Sequence, residues 1–162
     1  MTTRYLWPMV ALLCTVIVLS VSEVARADEH GDEQHGCTVA RLHGLYVFAA
    51  TGFTGLPVTS SSPPAQPKAI IELIRFNGDG SLDVPGATRS INGSIAQIPA
   101  GGTGIYTVSD VVPPGGACTG TLTFSPSGPH FDLFIAPNGK RIWMIQTDSG
   151  NVFQGMTTKL SP

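Results

Sequence analysis

Charged residues are scarce in this chain. Only 12% of its 162 residues are Asp, Glu, Lys or Arg, and the net charge is −2. The sequence has no basic stripe that would follow a nucleic acid backbone and no polybasic cluster that would bind a membrane surface. We therefore expect neither nucleic acid nor a membrane surface as a partner.

Motifs of the common catalytic sites are also missing. There is no Gly-x-Ser-x-Gly elbow, no His-Glu-x-x-His zinc helix, and no phosphate-binding glycine loop followed by Lys. Gly101-Gly102-Thr103-Gly104 is rich in glycine, but it lies among β-type segments with no helix after it. The sequence favours a non-enzymatic protein over an enzyme.

No apolar stretch reaches the roughly 20 residues that a membrane-spanning helix needs. The run from Met9 to Leu19 follows Arg4 and precedes the small-residue sequence Ala25-Arg26-Ala27. A charged start, a short apolar run and an A-x-A site make up a cleavable secretion signal. We predict removal of residues 1–27, a mature chain from Asp28, and a secreted or periplasmic protein.

Only two cysteines, Cys37 and Cys118, remain after the signal. In an exported chain such a pair is most simply a disulfide, with two free thiols as the alternative. The bond would close a loop of roughly eighty residues, which the chain-entropy model credits with about 4 kcal/mol of stabilisation.

Apolar residues in the mature chain keep no helical period over ten or more residues without Gly or Pro breaking it. Short β-branched and aromatic segments recur between turn sequences, which is typical of strands. We predict eight strands, A to H, at 45–53, 69–76, 81–91, 104–109, 118–124, 131–136, 141–147 and 152–159.

The connections alternate between tight and long. Asn77-Gly78-Asp79-Gly80 and Pro137-Asn138-Gly139-Lys140 are hairpin sequences, whereas residues 56–67 form a long stretch rich in Pro and Ser. Alternate connections of an up-and-down meander lie at opposite ends of the sheet. Cys37 and Cys118 then fall together at the tight-turn end.

Closing such a meander removes its exposed edges. We therefore predict a single all-β domain over residues 44–162, an eight-stranded antiparallel up-and-down barrel, with a β-sandwich as the alternative. Residues 28–43 are predicted as a flexible acidic tail that carries histidines and Cys37.

Six segments together resemble a group of uncharacterised exported bacterial β-barrel proteins: Gly44-Leu45-Tyr46-Val47-Phe48, Phe76-Asn77-Gly78-Asp79-Gly80, Gly104-Ile105-Tyr106-Thr107-Val108, Cys118-Thr119-Gly120-Thr121, Phe131-Asp132-Leu133 and Ile142-Trp143-Met144-Ile145-Gln146-Thr147. In architecture the chain resembles calycin barrels, the lipocalins and their relatives, with Tyr46 where that family has Trp after its first glycine. It equally resembles barrels of the allene oxide cyclase and dirigent type. These resemblances imply a barrel fold. They imply no activity, because fold alone does not give function.

Both faces of predicted strands B and G are mostly apolar, whereas an antiparallel barrel alone in water has cleaner alternation. We therefore expect part of the outer wall to be covered, either by another subunit in a homo-oligomer or by the chain's own loops.

Seven aromatic residues are expected in the core: Tyr46, Phe48, Phe53, Phe131, Phe134, Trp143 and Phe153.

Two carboxylates lie on apolar strand faces, Glu72 between Ile70 and Ile74, and Asp132 between Phe131 and Leu133. Such a carboxylate can carry a raised pKa in a ligand pocket, or it can simply pair with a nearby Arg or backbone amide. With two aromatic residues they make up the predicted ligand-binding set: Glu72, Asp132, Trp143 and Tyr46.

The expected mature terminus, Asp28-Glu29-His30, is the candidate metal site. A free amine, two backbone amides and the His30 imidazole can supply four nitrogens in a plane, which suits Cu(II) or Ni(II). A solvated acidic tail with incidental histidines is the alternative. No other cofactor is expected.

The leading functional hypothesis is an exported non-enzymatic barrel that binds a small apolar molecule or a protein partner. An envelope structural or inhibitor-like interaction protein and a small cyclase or isomerase are the alternatives. An eight-stranded barrel is either filled by side chains or just wide enough for one small ligand. A filled interior would place the function on the outer wall, the long loops or the amino-terminal tail.

Overall fold

The computed structural model describes residues 36–57, 61, 64–109 and 116–160, which are mostly β-structure. The predicted signal and the candidate metal site at Asp28 and His30 lie outside these residues. A short 3₁₀ turn, Val39–Arg41, precedes nine strands: β1 His43–Thr54, β2 Gln66–Asn77, β3 Ser81–Ile91, β4 Ser94–Ile98, β5 Gly102–Ser109, β6 Cys118–Ser125, β7 His130–Ile135, β8 Arg141–Gln146 and β9 Asn151–Lys159.

Eight of these strands form a closed antiparallel up-and-down barrel. Its order is β1, β2, β3, β5, β6, β7, β8 and β9, and β9 pairs with β1 to complete the ring. The predicted barrel is therefore confirmed, and the chain does not form the alternative β-sandwich. Each of the eight predicted strands corresponds to one strand of the ring.

The ninth strand, β4, is an addition to the predicted set. After Asn92-Gly93 the chain pairs back on β3 over residues 94–98, and β5 then pairs with the same edge of β3 from residue 102. β4 and β5 thus lie end to end, as two parts of one long strand interrupted at residues 99–101. Asn92 and Gly93 have φ angles of 49° and 81°, and a two-residue I′ hairpin turn requires positive φ at both positions.

Side chains fill the barrel interior. Six aromatic rings lie in two groups with centroids 5.0 to 6.5 Å apart, mostly edge to face: Tyr46, Phe76 and Tyr106 in one, and Phe48, Phe131 and Phe153 in the other. Eight aliphatic side chains, each at most 3% exposed, also point inward: Ile74, Leu82, Val84, Leu122, Leu133, Ile135, Ile142 and Met144. Edge-to-face contact is the arrangement that aromatic rings prefer.

Three of the seven predicted core aromatics lie outside the barrel instead. Phe53, Phe134 and Trp143 are each about half exposed. Successive strand residues point to opposite faces, and Phe134 alternates with the buried Leu133 and Ile135. The prediction was wrong for these three because hydrophobicity alone does not distinguish the two faces of an apolar strand.

The amino-terminal segment packs against the tight-turn end of the barrel. The predicted disulfide between Cys37 and Cys118 is confirmed, with Cα atoms 5.6 Å apart, and Leu42 is fully buried. The Tyr106 hydroxyl lies 2.9 Å from the carbonyl oxygens of both Val39 and Leu42 and accepts the N–H of Gly78 at 3.1 Å. Residues 37–42 of the predicted tail therefore belong to the packed domain.

We predict that Tyr106→Phe lowers the free energy of unfolding by about 1 to 3 kcal/mol, because the two carbonyls and the N–H lose a buried partner. Urea denaturation measures this loss. Thr107→Val is the matched control, since it removes a hydroxyl that bonds Thr121 at 2.8 Å on the exposed face of the same strand. Equal losses for the two variants would contradict the anchoring role of Tyr106.

Candidate functional site

The four predicted ligand-binding residues lie in separate places. Glu72 and Tyr46 point into the barrel, whereas Asp132 and Trp143 lie on the exposed outer wall. Tyr46 donates its hydroxyl hydrogen to the carbonyl oxygen of Gly139 at 2.8 Å, within the β7–β8 turn. These side chains form no common pocket.

Glu72 is a buried carboxyl group, with only 8% of the residue exposed. Its cross-strand neighbours are Phe48 on β1 and Ala87 on β3. Ile70 and Ile74 flank it on the same face of β2. Burial among these apolar neighbours raises its pKa to about 7, because desolvation penalises the charged form. Glu72 therefore changes its charge near neutral pH.

A chain of polar contacts lies at the long-loop end of the barrel. Lys68 on β2 donates from Nζ to Gln146 Oε1 at 3.2 Å, and its Nζ lies 4.2 Å from the Phe153 ring centroid. Gln146 donates to Asp148 Oδ2 at 2.8 Å, and Asp148 Oδ1 lies 2.7 Å from His130 Nδ1. This contact chain links β2 to β7 above the aromatic interior.

The charges of this contact chain are coupled. Burial would raise the pKa of Asp148, but hydrogen bonds from the backbone N–H and ring of His130 and from Gln146 lower it to about 2. Burial and the nearby Arg89 lower the pKa of Lys68, which the Asp148 carboxylate partly offsets.

The sequence prediction missed the residues of this contact chain because their contacts depend on strand order around the ring. The only sequence signal was the alternation of residues between the two faces of a strand, which places Lys68 on the same face of β2 as Glu72.

The outer wall carries a row of large apolar side chains. Neighbouring strands β7, β8, β9, β1 and β2 place five residues directly side by side on this face: Phe134, Trp143, Met156, Ala49 and Ile71. The four large members are 40% to 62% exposed. Cross-strand neighbours on one face contact each other, so the five residues form a continuous outer apolar row.

A groove of about 520 Å³ lies on the outer wall where this row reaches β1 and β2. The exposed Ile71 and Ile95 line this groove. Small outward-facing side chains also line it: Ala49, Thr51, Ala69, Thr88 and Ser90. Two further grooves, of about 550 Å³ and 500 Å³, share residues with it. None of the described residues that line the first groove is charged, so they offer an uncharged surface.

No cluster of three or more His, Cys, Asp or Glu is placed to hold a metal ion within residues 36–57, 61, 64–109 and 116–160. Over the same residues, no helix has the length and apolar character needed to cross a membrane. The proposed amine and imidazole ligands at Asp28 and His30 lie outside this part of the chain and stay a prediction.

Comparison of the chain with known protein families, with curated proteins and with solved structures found no match. The resemblance to exported barrel proteins and to calycin-type barrels therefore stays a prediction. The candidate site rests on the geometry of this molecule, in which the apolar surface available to a partner lies on the outer wall.

Proposed function

We propose that the protein is an exported, non-enzymatic barrel that binds another protein through its outer wall. The observation that carries the proposal is the contrast between the two faces of the sheet. Aromatic and aliphatic side chains fill the interior, while four large apolar side chains of the outer row stay exposed. A filled eight-stranded barrel leaves no room for an internal ligand.

The shape and composition of the outer wall favour a protein over a small molecule. The outer apolar row crosses five strands and continues into an open groove. Contiguous exposed apolar surface of this kind marks protein interaction sites, and Trp, Phe and Met are enriched at interfaces. A drug-sized ligand instead prefers a pocket that encloses most of its surface.

Export is the second part of the proposal. The disulfide supports it, because such bonds persist in oxidising compartments outside the cytoplasm. A mature chain that begins at Asp28 in the medium or the periplasm is the expected result of mass spectrometry. An uncleaved chain recovered with the cytoplasm would contradict the signal prediction.

Photo-crosslinking tests the binding surface. We expect a benzophenone amino acid at position 71 to yield a defined covalent adduct with another protein in cells that make this one. Position 105 is the matched control, because Ile105 is 61% exposed and Ile71 is 62% exposed, but Ile105 lies on β5, away from the outer apolar row. The same adducts from both positions, or no adduct from position 71, would contradict the proposal.

A small cyclase or isomerase is the weaker alternative. Its acid or base would be Glu72. This residue lies on the inward face of β2, four residues after Lys68. The Lys68 ammonium lies against the buried Phe153 ring at this end, so a substrate that entered here would have to displace Lys68. The outer wall offers its surface without any such rearrangement.

A further inference from the structure

Among the described strands, β4 has a single neighbour, whereas every other strand has at least two. It pairs with β3, and its other edge meets no strand among the described residues. Its residues are exposed or half-buried, and Ile95 reaches 72% exposure. Over the described residues, the second edge of β4 is therefore unpaired.

The hairpin geometry identifies the backbone groups on that edge. Residues that flank a two-residue turn form a hydrogen-bonded pair, and hydrogen-bonded and non-bonded pairs then alternate along an antiparallel ladder. Ser94 flanks the turn, so Ser94, Ala96 and Ile98 direct their N–H and C=O groups towards β3. The Asn92 N–H donates to Pro67 of β2 at 2.8 Å, which fits this alternation. Ile95 and Gln97 hence direct their backbone groups outward.

We propose that two copies of this chain associate by antiparallel pairing of their β4 strands about a two-fold axis at Ala96. In this register Ile95 faces Gln97 of the partner subunit, and each of these pairs exchanges two hydrogen bonds. All four outward backbone groups of each copy are then satisfied. A register shifted by two residues brings in either Gly93 of the turn or Pro99, which has no N–H to donate.

The composition of β4 favours a second copy as its partner. A two-fold axis sets a strand against itself, so a charged strand would repel its copy, and residues 94–98 contain no charged side chain. Proteins protect free edges with Lys, Pro or inward-pointing charges, and this strand has none of them. Two-fold pairing also closes on itself and leaves no edge for further growth.

This dimer goes beyond the proposed function, because it needs no foreign partner and uses the edge of the sheet instead of its face. The two sites nevertheless adjoin each other, since the Ile95 side chain lines the outer groove. In the dimer the outer walls of the two copies meet at β4 and form one extended surface.

Disulfide trapping tests the register in the full mature chain. At a non-hydrogen-bonded antiparallel pair the Cα atoms are about 4.5 Å apart, within the range that a disulfide spans. Ala96→Cys is expected to form a covalent dimer under mild oxidation, with Cys37–Cys118 intact by mass spectrometry. Ser94→Cys, which would face Ile98 of the partner subunit, should cross-link at least tenfold more slowly. Equal rates, or no dimer with Ala96→Cys, would overturn the proposal.

Analytical ultracentrifugation gives an independent test. The unaltered mature chain should sediment as a dimer at high micromolar concentration. Gln97→Pro removes an outward N–H without removing any bond to β3, and it should weaken the dimer at least tenfold, whereas Gln97→Thr should not. A monomeric unaltered chain refutes the dimer while leaving the proposed binding of another protein intact, since crosslinking at position 71 reports on that separately.

Discussion

Replacement of both disulfide cysteines, Cys37→Ala with Cys118→Ala, is expected to lower the free energy of unfolding by about 4 kcal/mol. The bond joins residues 81 positions apart, so its loss frees a long loop in the unfolded chain. It also removes the covalent link between the amino-terminal segment and β6. Urea denaturation of the oxidised and substituted proteins measures the difference, and the thermal midpoint should fall by roughly 15 °C.

Chemical reduction of the unaltered protein provides the control for this experiment. It breaks the same bond without changing a side chain, so it should cause a similar loss of stability. Alanine is preferable to serine because Cys118 is fully buried, and a buried hydroxyl would add its own cost. A loss below about 1 kcal/mol in both experiments would contradict the loop-closure argument.

The second large effect concerns Glu72, whose pKa is raised from 4.5 to about 7 by burial. A raised carboxyl pKa means that the folded chain binds this proton more tightly than the unfolded chain does. Stability from this group is therefore fully present below about pH 4.5 and is lost as the pH rises through about 7. At 1.36 kcal/mol per pKa unit, the total change is about 3 kcal/mol.

Glu72→Gln should remove this dependence on pH. We expect the variant to be more stable than the unaltered protein by about 3 kcal/mol at pH 8, and by much less at pH 5. Asp132→Asn is the control, since Asp132 is exposed on the outer wall. Asp148 does not interfere, because its pKa of about 2 lies below this range. Parallel stability curves for the Glu72→Gln and unaltered proteins would refute the assignment.

Turn chemistry and short β-type segments were sufficient to predict the ring of eight strands. The two hairpin sequences and the alternation of loop lengths also placed Cys37 and Cys118 at one end, where they form their bond. β4 was missed although Asn92-Gly93 is a strong hairpin signal. The predicted strands C (81–91) and D (104–109) instead leave this dipeptide in the connection between them.

The site was harder to predict than the fold, because alternation defines two faces of a strand but not which of them points inward. Trp143 and Ile145 are as apolar as Ile142 and Met144 on the same strand, yet the first pair is exposed and the second buried. The order of strands around the ring decides this, together with the volume left inside. The unusual apolarity of both faces was nevertheless visible in the sequence, and it led to the expectation of a covered outer wall.

The most direct test of the account is to find which face of the sheet binds an apolar probe. Backbone amide NMR signals of the mature protein can be followed during titration with the dye anilinonaphthalene sulfonate. Shifts confined to outer-wall residues such as Ala69, Ile71 and Thr88 are the predicted result. Saturable shifts centred on inward-facing Phe48, Glu72 and Phe131, with the outer wall unaffected, would show that the interior accepts a ligand and would contradict the proposal.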